Sequence, residues 1–311
     1  MPSVAPASGL RRDLARVVGA ECLVEGRSGA HYDHDATIQR GLRGHADAVV
    51  CPRSGDGVAA LMSYCYAHGV PLVPRGGGTG LAGGATPLDG GVVLSAERLN
   101  SIRAFEPELG RLSVGAGIST AHVARLAREN GLMFPPDPGA AELSHIGGNV
   151  ATNAGGPHAF KYGRTGAFVT GLQAALAPGE LARLGGASRR DAAGYDLIGL
   201  LVGSEGTLGV VTEVELSLLP APEGSTGVVV LLPDVASGQE ALLSVLASGL
   251  RPAVLDFLDA RAFAASALDL PRIVLEQAHA EGVVEWFPGR RELGAAAGRP
   301  GHAWSAPARA A

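Results

Sequence analysis

From Ala46 onward, short β-branched runs alternate with stretches in which apolar residues recur every three or four positions, so strands and helices exchange along the chain. Ahead of that region, Leu10, Leu14, Val17 and Val18 share helical spacing and predict a helix over about Ser8 to Gly19. ADAVVCP then reads as a strand. Ser54 or Asp56 caps a helix carrying Val58, Leu61, Met62 and Cys65, Gly69 ends it, and GVPLVP is the next strand. GGVVLSA and RLSVGAG predict two more strands. Ser119 or Thr120 caps a helix with Val123, Leu126 and Ala127 on one face, closed by Gly131. VTGLQAALAPGELARLGG fits a strand, a turn at Pro178 and Gly179, and a second strand. VVTEVELSLL alternates Val214, Leu216 and Leu218 with Glu213, Glu215 and Ser217, as a half-buried strand does. Past Pro220 and Pro222, VVVLLP predicts a strand and Val235 to Ser248 a helix, and with RPAVLDFLD they open a second α+β unit.

Between Pro135 and about Gly166 the periodicity stops and glycines accumulate, which predicts a long irregular segment; such segments inside a domain usually carry function. The chain holds 46 glycines in 311 residues, in local runs without a period. That excludes a collagen-like repeat and leaves tight turns or close approach of backbone to a ligand. A formal net charge of -5 gives no electrostatic footprint for nucleic acid. Cys22, Cys51 and Cys65 form neither a CxxC pair nor an even disulfide framework, which suits three buried thiols in a reducing compartment. The start lacks the apolar core of a signal peptide, and no run approaches the ~18 apolar residues that cross a bilayer. The expectation is a cytoplasmic protein without nucleic-acid partners. His31, His34 and His45 lack metal-ligand spacing, and no metal site is expected.

Gly78, Gly80 and Gly83 satisfy G-x-G-x-x-G after a strand. A dinucleotide-binding Rossmann loop must open directly into a helix, whose N-terminus holds the pyrophosphate. Here GGATPLDGG follows instead, with a proline and further glycines ahead of a strand, so no helix starts. A Walker loop is excluded by the absence of Gly-Lys-Ser/Thr. The run Arg75-Gly76-Gly77-Gly78-Thr79-Gly80, following Pro74, is either a plain tight turn or a nest whose amides turn toward one anion, with Arg75 adding a cation and Thr79 a hydroxyl. A diphosphate is the anion such a nest suits. A second stretch, Pro135-Pro136-Asp137-Pro138 followed by Ser144 to Gly156, combines rigid turns, small residues and amides, as a flat aromatic ligand requires. The third, Gly203 to Val211, is a small-residue turn feeding the alternating strand.

In this order and spacing the three motifs resemble the FAD-binding domain of the vanillyl-alcohol oxidase and p-cresol methylhydroxylase (PCMH-type) flavoproteins. PRGGGTGLAGGATPLDGGVVL, PPDPGAAELSHIGGNVATNAGG, KYGRTG, GYDLIGLLVGSEGTLGVVTEV and RPAVLDFLDA are most similar to the glycolate oxidase D subunit, D-lactate dehydrogenase and D-2-hydroxyglutarate dehydrogenase branch, over roughly Tyr32 to Ala262. The resemblance implies an α+β fold. An N-terminal lead-in (1–44) would precede a PCMH-type FAD-binding domain (45–222) of two α+β subdomains, about 45–100 and 101–222. A partial α+β cap (223–287) and an Ala/Gly/Pro/Arg-rich tail (288–311) would follow. It implies that Pro74, Arg75, Gly76, Gly77, Gly78, Thr79 and Gly80 cradle the FAD pyrophosphate. Pro136, Asp137, Pro138 and Ser144, with Gly147, Gly148, Asn149, Thr152, Asn153 and Gly155, would line the flavin and its ribityl chain. Glu205, Gly206, Thr207, Leu208, Gly209, Val210 and Val211 would hold the adenosine end. Relatives that bind FAD covalently use a histidine in the first loop; this loop has none, so non-covalent FAD is expected.

The activity so implied is oxidation of a D-2-hydroxy acid such as glycolate, D-lactate or D-2-hydroxyglutarate, with hydride passing to flavin N5. Electrons would leave to a quinone, a cytochrome or an electron-transfer flavoprotein, with possible peripheral association with the inner membrane through a partner. One departure stands out. The family's His-Gly-His-x-Gly-Asp-Gly-Asn type segment is absent, and His279 and His302 stand alone. A truncated or frame-shifted chain is the expectation, with the missing segment lost or supplied by a partner subunit. The rival readings are a non-catalytic FAD-binding fragment and a nucleotide-binding module without redox chemistry. Catalytic residues are not assigned. His145 and His158, beside the expected flavin cleft, are either candidate bases or loop histidines satisfied by backbone. Arg164 and Lys161 either bind a substrate carboxylate or are structural, Tyr195 and Asp196 are expected to pack the domain, and Glu205 to contact cofactor or backbone.

Overall fold

A computed structural model describes residues 7–25, 31–186, 194–224, 228–230, 232 and 234–259, with the backbone of 285–286. Two compact units divide the chain, Met1–Ala221 and Pro222–Ala311.

In the first unit, helix α1 (Ala7–Val18) buries Leu10 and Leu14. Strand β1 (Ala48–Val50) leads into α2 (Gly55–His68), on which α1 packs. Of the two candidate caps for α2, Ser54 is the one used, its hydroxyl accepting from the Gly57 amide, and Gly69 ends the helix in the left-handed conformation. Strand β2 (Leu72–Arg75) and strand β3 (Val92–Ser95) complete a parallel sheet of order β1-β3-β2. Central β3 is buried along its whole length, which explains a continuous apolar run in place of an alternating one.

A second, five-stranded antiparallel sheet has the order β4-β5-β9-β7-β8. It comprises β4 (Ile102–Glu106), β5 (Arg111–Gly115), β7 (Val169–Leu176), β8 (Glu180–Gly185) and β9 (Val210–Ser217). Between β5 and β7 come α3 (Thr120–Glu129), β6 (Leu132–Met133), α4 (Ile146–Thr152) and α5 (Ala159–Tyr162). Ser119 caps α3, accepting from the His122 amide. After β8 come α6 (Leu197–Leu201) and, beyond β9, β10 (Leu219–Pro220), which pairs with β6. On central β9, Val214 and Leu216 enter the core, each such buried side chain contributing about 1.5–3 kcal/mol. Glu213 on the same strand takes Arg103 from one sheet edge and Arg183 from the other, both at 2.9 Å.

Helix α4 replaces irregular chain within the expected loop. Its Gly147 and Gly148 lower helix propensity, yet packing requires the first of them: a Cβ on Gly147 would lie 2.6 Å from the Ala116 Cβ. Strand β4 carries no alternating signal because it is a sheet edge with four of its five residues exposed. Tyr195 is 92% exposed and does not pack the domain, whereas Asp196 caps α6 through the Gly199 amide.

In the second unit, β11 (Val228–Val229) pairs with β12 (Glu285–Trp286), and α7 (Val235–Ala247) is capped by Asp234. Gly238 of α7 lies against the Phe257 ring. His279, His302 and the tail lie outside the described residues. Among the described residues no helix is long and apolar enough to cross a membrane.

Candidate functional site

Strand β2 delivers the chain at Arg75 into the loop Gly76–Gly80. No helix follows, in keeping with the rejection of a Rossmann reading. None of the five amides from Gly76 to Gly80 donates to another described residue. Five consecutive amides without a partner among the described residues are available as donors to an anion. Glycine is required at Gly77, where a Cβ would collide with the Leu143 carbonyl, and at Gly78, whose φ is 69°.

Arg75 serves this loop from beneath. Its guanidinium is buried, donating to the carbonyls of His34 at 2.6 Å and His31 at 3.0 Å and lying 5.6 Å from the centroid of the Tyr32 ring. It also fills the space where a Gly78 side chain would stand. Its charge therefore lies beside the loop while two of its donors are committed to the segment 31–34. Burial lowers its pKa, and the nearby Asp35, Tyr32 and Glu97 oppose that. Burial also works to raise the Asp35 carboxyl, but hydrogen bonds from the Thr37 side chain and backbone win and keep it below its ordinary value. Glu97 is held below its ordinary value in the same way, accepting from the Tyr32 hydroxyl at 2.9 Å and the Cys51 thiol at 3.0 Å. Burial, then Glu97, push the Cys51 thiol up to about 12. Tyr32, Asp35, Cys51 and Glu97 belong to no motif; they are single polar residues that only the fold brings around Arg75.

The three glycine-rich motifs converge. A Cβ on Gly76 would lie 3.2 Å from the Gly148 Cα and 3.6 Å from the His145 Cβ, so the first loop rests on the start of α4. The third motif is bolted to the other end of α4: Gly203 donates to the Val150 carbonyl at 3.0 Å and Glu205 to that of Ala151 at 2.8 Å. Gly206 abuts Pro74, closing the circle. Behind α4, Ser144 and Thr120 share a hydrogen bond of 2.7 Å, and the buried Asn149 amide donates to Thr120 at 2.6 Å. Asn153, left-handed at φ 48°, ends α4 and accepts from the Gly166 amide.

Other expected residues lie around this circle. Asp137 binds His158 twice, through its ring at 2.8 Å and its amide at 3.1 Å, and Gly156 packs against the same aspartate. Gly155 sits on the Arg164 side chain, and Lys161 stands 5.0 Å from the Tyr162 ring centroid. Pro136 is buried, Pro138 half-buried and Thr152 hydrogen-bonds within its own helix at Gly148. The His145 Nδ1 is buried without a hydrogen-bond partner among the described residues. Burial, with Arg75 acting the same way and Glu97 against it, lowers its pKa, so the ring is neutral at pH 7. Gly206, Thr207, Leu208, Gly209 and Val210 line a cavity of about 210 Å³ with Met62, Cys65, Tyr66, Leu72 and Pro74. Val211 continues into buried β9.

A family model described as FAD binding domain matches residues 46–185, spanning the first two motifs. Over those residues the chain is similar to an FAD binding domain. The chain is 39% identical over 251 residues to the glycolate oxidase subunit GlcD of Bacillus subtilis, covering 80% of this chain and 53% of that protein. It is 34% identical over 228 residues to the D-lactate dehydrogenase of Anaerostipes hadrus, covering 73% and 48%. It thus spans about half the length of these relatives. A solved structure of alkyldihydroxyacetonephosphate synthase matches with a TM-score of 0.68 at 21% identity, over 81% of this chain and 48% of that one. The fold is the mixed α+β architecture expected from the PCMH-type resemblance, and the cofactor of the FAD binding domain is FAD. The residues present fit that cofactor: the free amides of Gly76–Gly80 offer donors to a diphosphate, over a buried cation.

Proposed function

We propose that this chain is the FAD-binding part of a dehydrogenase for a D-2-hydroxy acid, such as glycolate, D-lactate or D-2-hydroxyglutarate. The observation that carries the reading is the convergence of three motifs on α4 around five free amides. Bound FAD supplies a two-electron acceptor for the hydride leaving the hydroxyl-bearing carbon. The chain's own part is to bind and orient. Gly76–Gly80 hold the diphosphate, with Pro74 and Arg75 shaping the loop. Pro136–Pro138, Ser144 and the α4 segment Gly147–Gly155 line the flavin and ribityl chain, and Glu205–Val211 take the adenosine end. FAD is held without a covalent bond, since the loop at 75–84 has no histidine.

In this reading residues 45–222 are the cofactor domain, with a lead-in before them and part of a cap over 223–287. The electron acceptor is a quinone, a cytochrome or an electron-transfer flavoprotein, and the chain is cytoplasmic, reaching the membrane only through a partner. The names of the two relatives support the substrate class. Purified chain should be yellow and release its flavin on acid precipitation, and it should reduce dichlorophenolindophenol with one of the three hydroxy acids. Yellow protein without turnover on any of them would instead make it an FAD-binding subunit whose catalytic groups come from another chain. Colourless protein that takes up no FAD would overturn the reading.

A further inference from the structure

Among the described residues, only Asn153 and Glu205 combine a side chain with positive φ. Asn153 has a structural reason: it ends α4 and its side chain accepts from Gly166. Glu205, at φ 52°, sits between Gly203 at 82° and Gly206 at 79°. Its backbone is fixed by α4 whatever the side chain, because the Gly203 and Glu205 amides donate to Val150 and Ala151. A third glycine would adopt this conformation without strain. Nor does the side chain repay the fold. It is exposed and makes no ion pair or hydrogen bond with another described residue. Its carboxylate is directed across the site, where a Cβ on Gly84 would stand 3.2 Å from Glu205 Oε2, toward the loop that carries the free amides. Strain kept without structural return points to function.

The chemistry of the partner follows from charge. A carboxylate beside an anion cradle repels phosphate, so it must meet hydrogen-bond donors on the ligand, and two oxygens match two adjacent hydroxyls. We propose that Glu205 accepts hydrogen bonds from vicinal sugar hydroxyls of the cofactor whose diphosphate lies on Gly76–Gly80. The proposal rests on the FAD site as read above. FAD carries such hydroxyls on its ribose and on its ribityl chain, and the test separates them.

The full chain, stripped of flavin, is titrated with FAD, ADP and FMN as wild type, Glu205→Gln and Glu205→Gly, following flavin fluorescence or calorimetric heat. Both variants should raise the FAD dissociation constant about tenfold or more, the scale of one charge-assisted hydrogen bond. A matching loss for ADP but not FMN assigns the ribose; the reverse assigns the ribityl chain. Flavin-free Glu205→Gly should melt above wild type, because the strain is removed. Unchanged affinity for all three ligands, or a glycine variant that melts no higher, overturns the proposal. Wild type that takes up no FAD instead refutes the site reading and the proposal with it, an outcome visible before any variant is made.

Discussion

Gly77→Ala tests the cradle most directly. The added methyl would overlap the Leu143 carbonyl, a backbone atom that no rotamer change can move away. Either the loop 76–80 or the turn at 143–144 must shift, and overpacking of this kind costs about 1–3 kcal/mol. In a unit of this size each kcal/mol is worth about 2–4 °C, so flavin-free protein should melt lower by about 2–12 °C. The larger effect falls on FAD. A displaced loop misaims amides that each contribute about 1.5–3 kcal/mol to a charged acceptor, and losing even one weakens binding by about tenfold or more. Gly80→Ala is the control. It lies in the same loop, but its Cβ would meet only Asp35 Oδ2 at 3.7 Å, an ordinary contact. Differential scanning fluorimetry reads stability, and flavin fluorescence reads affinity. If Gly77→Ala and Gly80→Ala were indistinguishable in both, the loop would not be seated on Leu143 as described.

Three further outcomes are expected. Arg75→Lys loses the fork that reaches two carbonyls, and dropping one charged hydrogen bond should destabilise flavin-free protein by about 1.5–3 kcal/mol in urea unfolding. His145 has a folded pKa below its unfolded value, so its contribution is present above the unfolded pKa and is lost as pH falls through the folded one. The stability of wild type relative to His145→Gln should therefore be flat above about pH 8 and should fall as pH drops below about 7. Cys51 and Cys65 are pushed up to about 12, and Cys22 is raised by burial. Thiol titration of native protein at pH 8 should accordingly find no fast-reacting cysteine, and all three should react in denaturant.

The strands and helices legible in the sequence were those whose burial shapes the residue pattern, as a period where one face is buried or as a continuous apolar run on β1 and β3. Val58, Leu61 and Cys65 on α2 and Val214 and Leu216 on β9 are examples, because burial writes a period into the residues. Strand β4, exposed at a sheet edge, leaves no period, and α4 is hidden by the glycines that let it lie against Ala116 and Gly76. For the site, sequence order revealed three glycine-rich stretches. Their convergence on the two ends of α4 was not readable, since it depends on contacts across about 50 to 130 positions. Arg75 shows the same limit. Its charge suggested a phosphate contact, whereas its guanidinium is anchored to carbonyls forty residues upstream.

A cradle gathered from positions as distant as Pro74, Gly148 and Gly206 exists only while the unit is folded. The unfolded chain has no binding site to offer, so every protein molecule that holds flavin is withdrawn from the unfolding equilibrium. At flavin a hundredfold above its dissociation constant the folded state gains about 2.7 kcal/mol by mass action alone. The cell's flavin supply would then act as a dial on how much of this protein survives proteolysis, before any substrate is met.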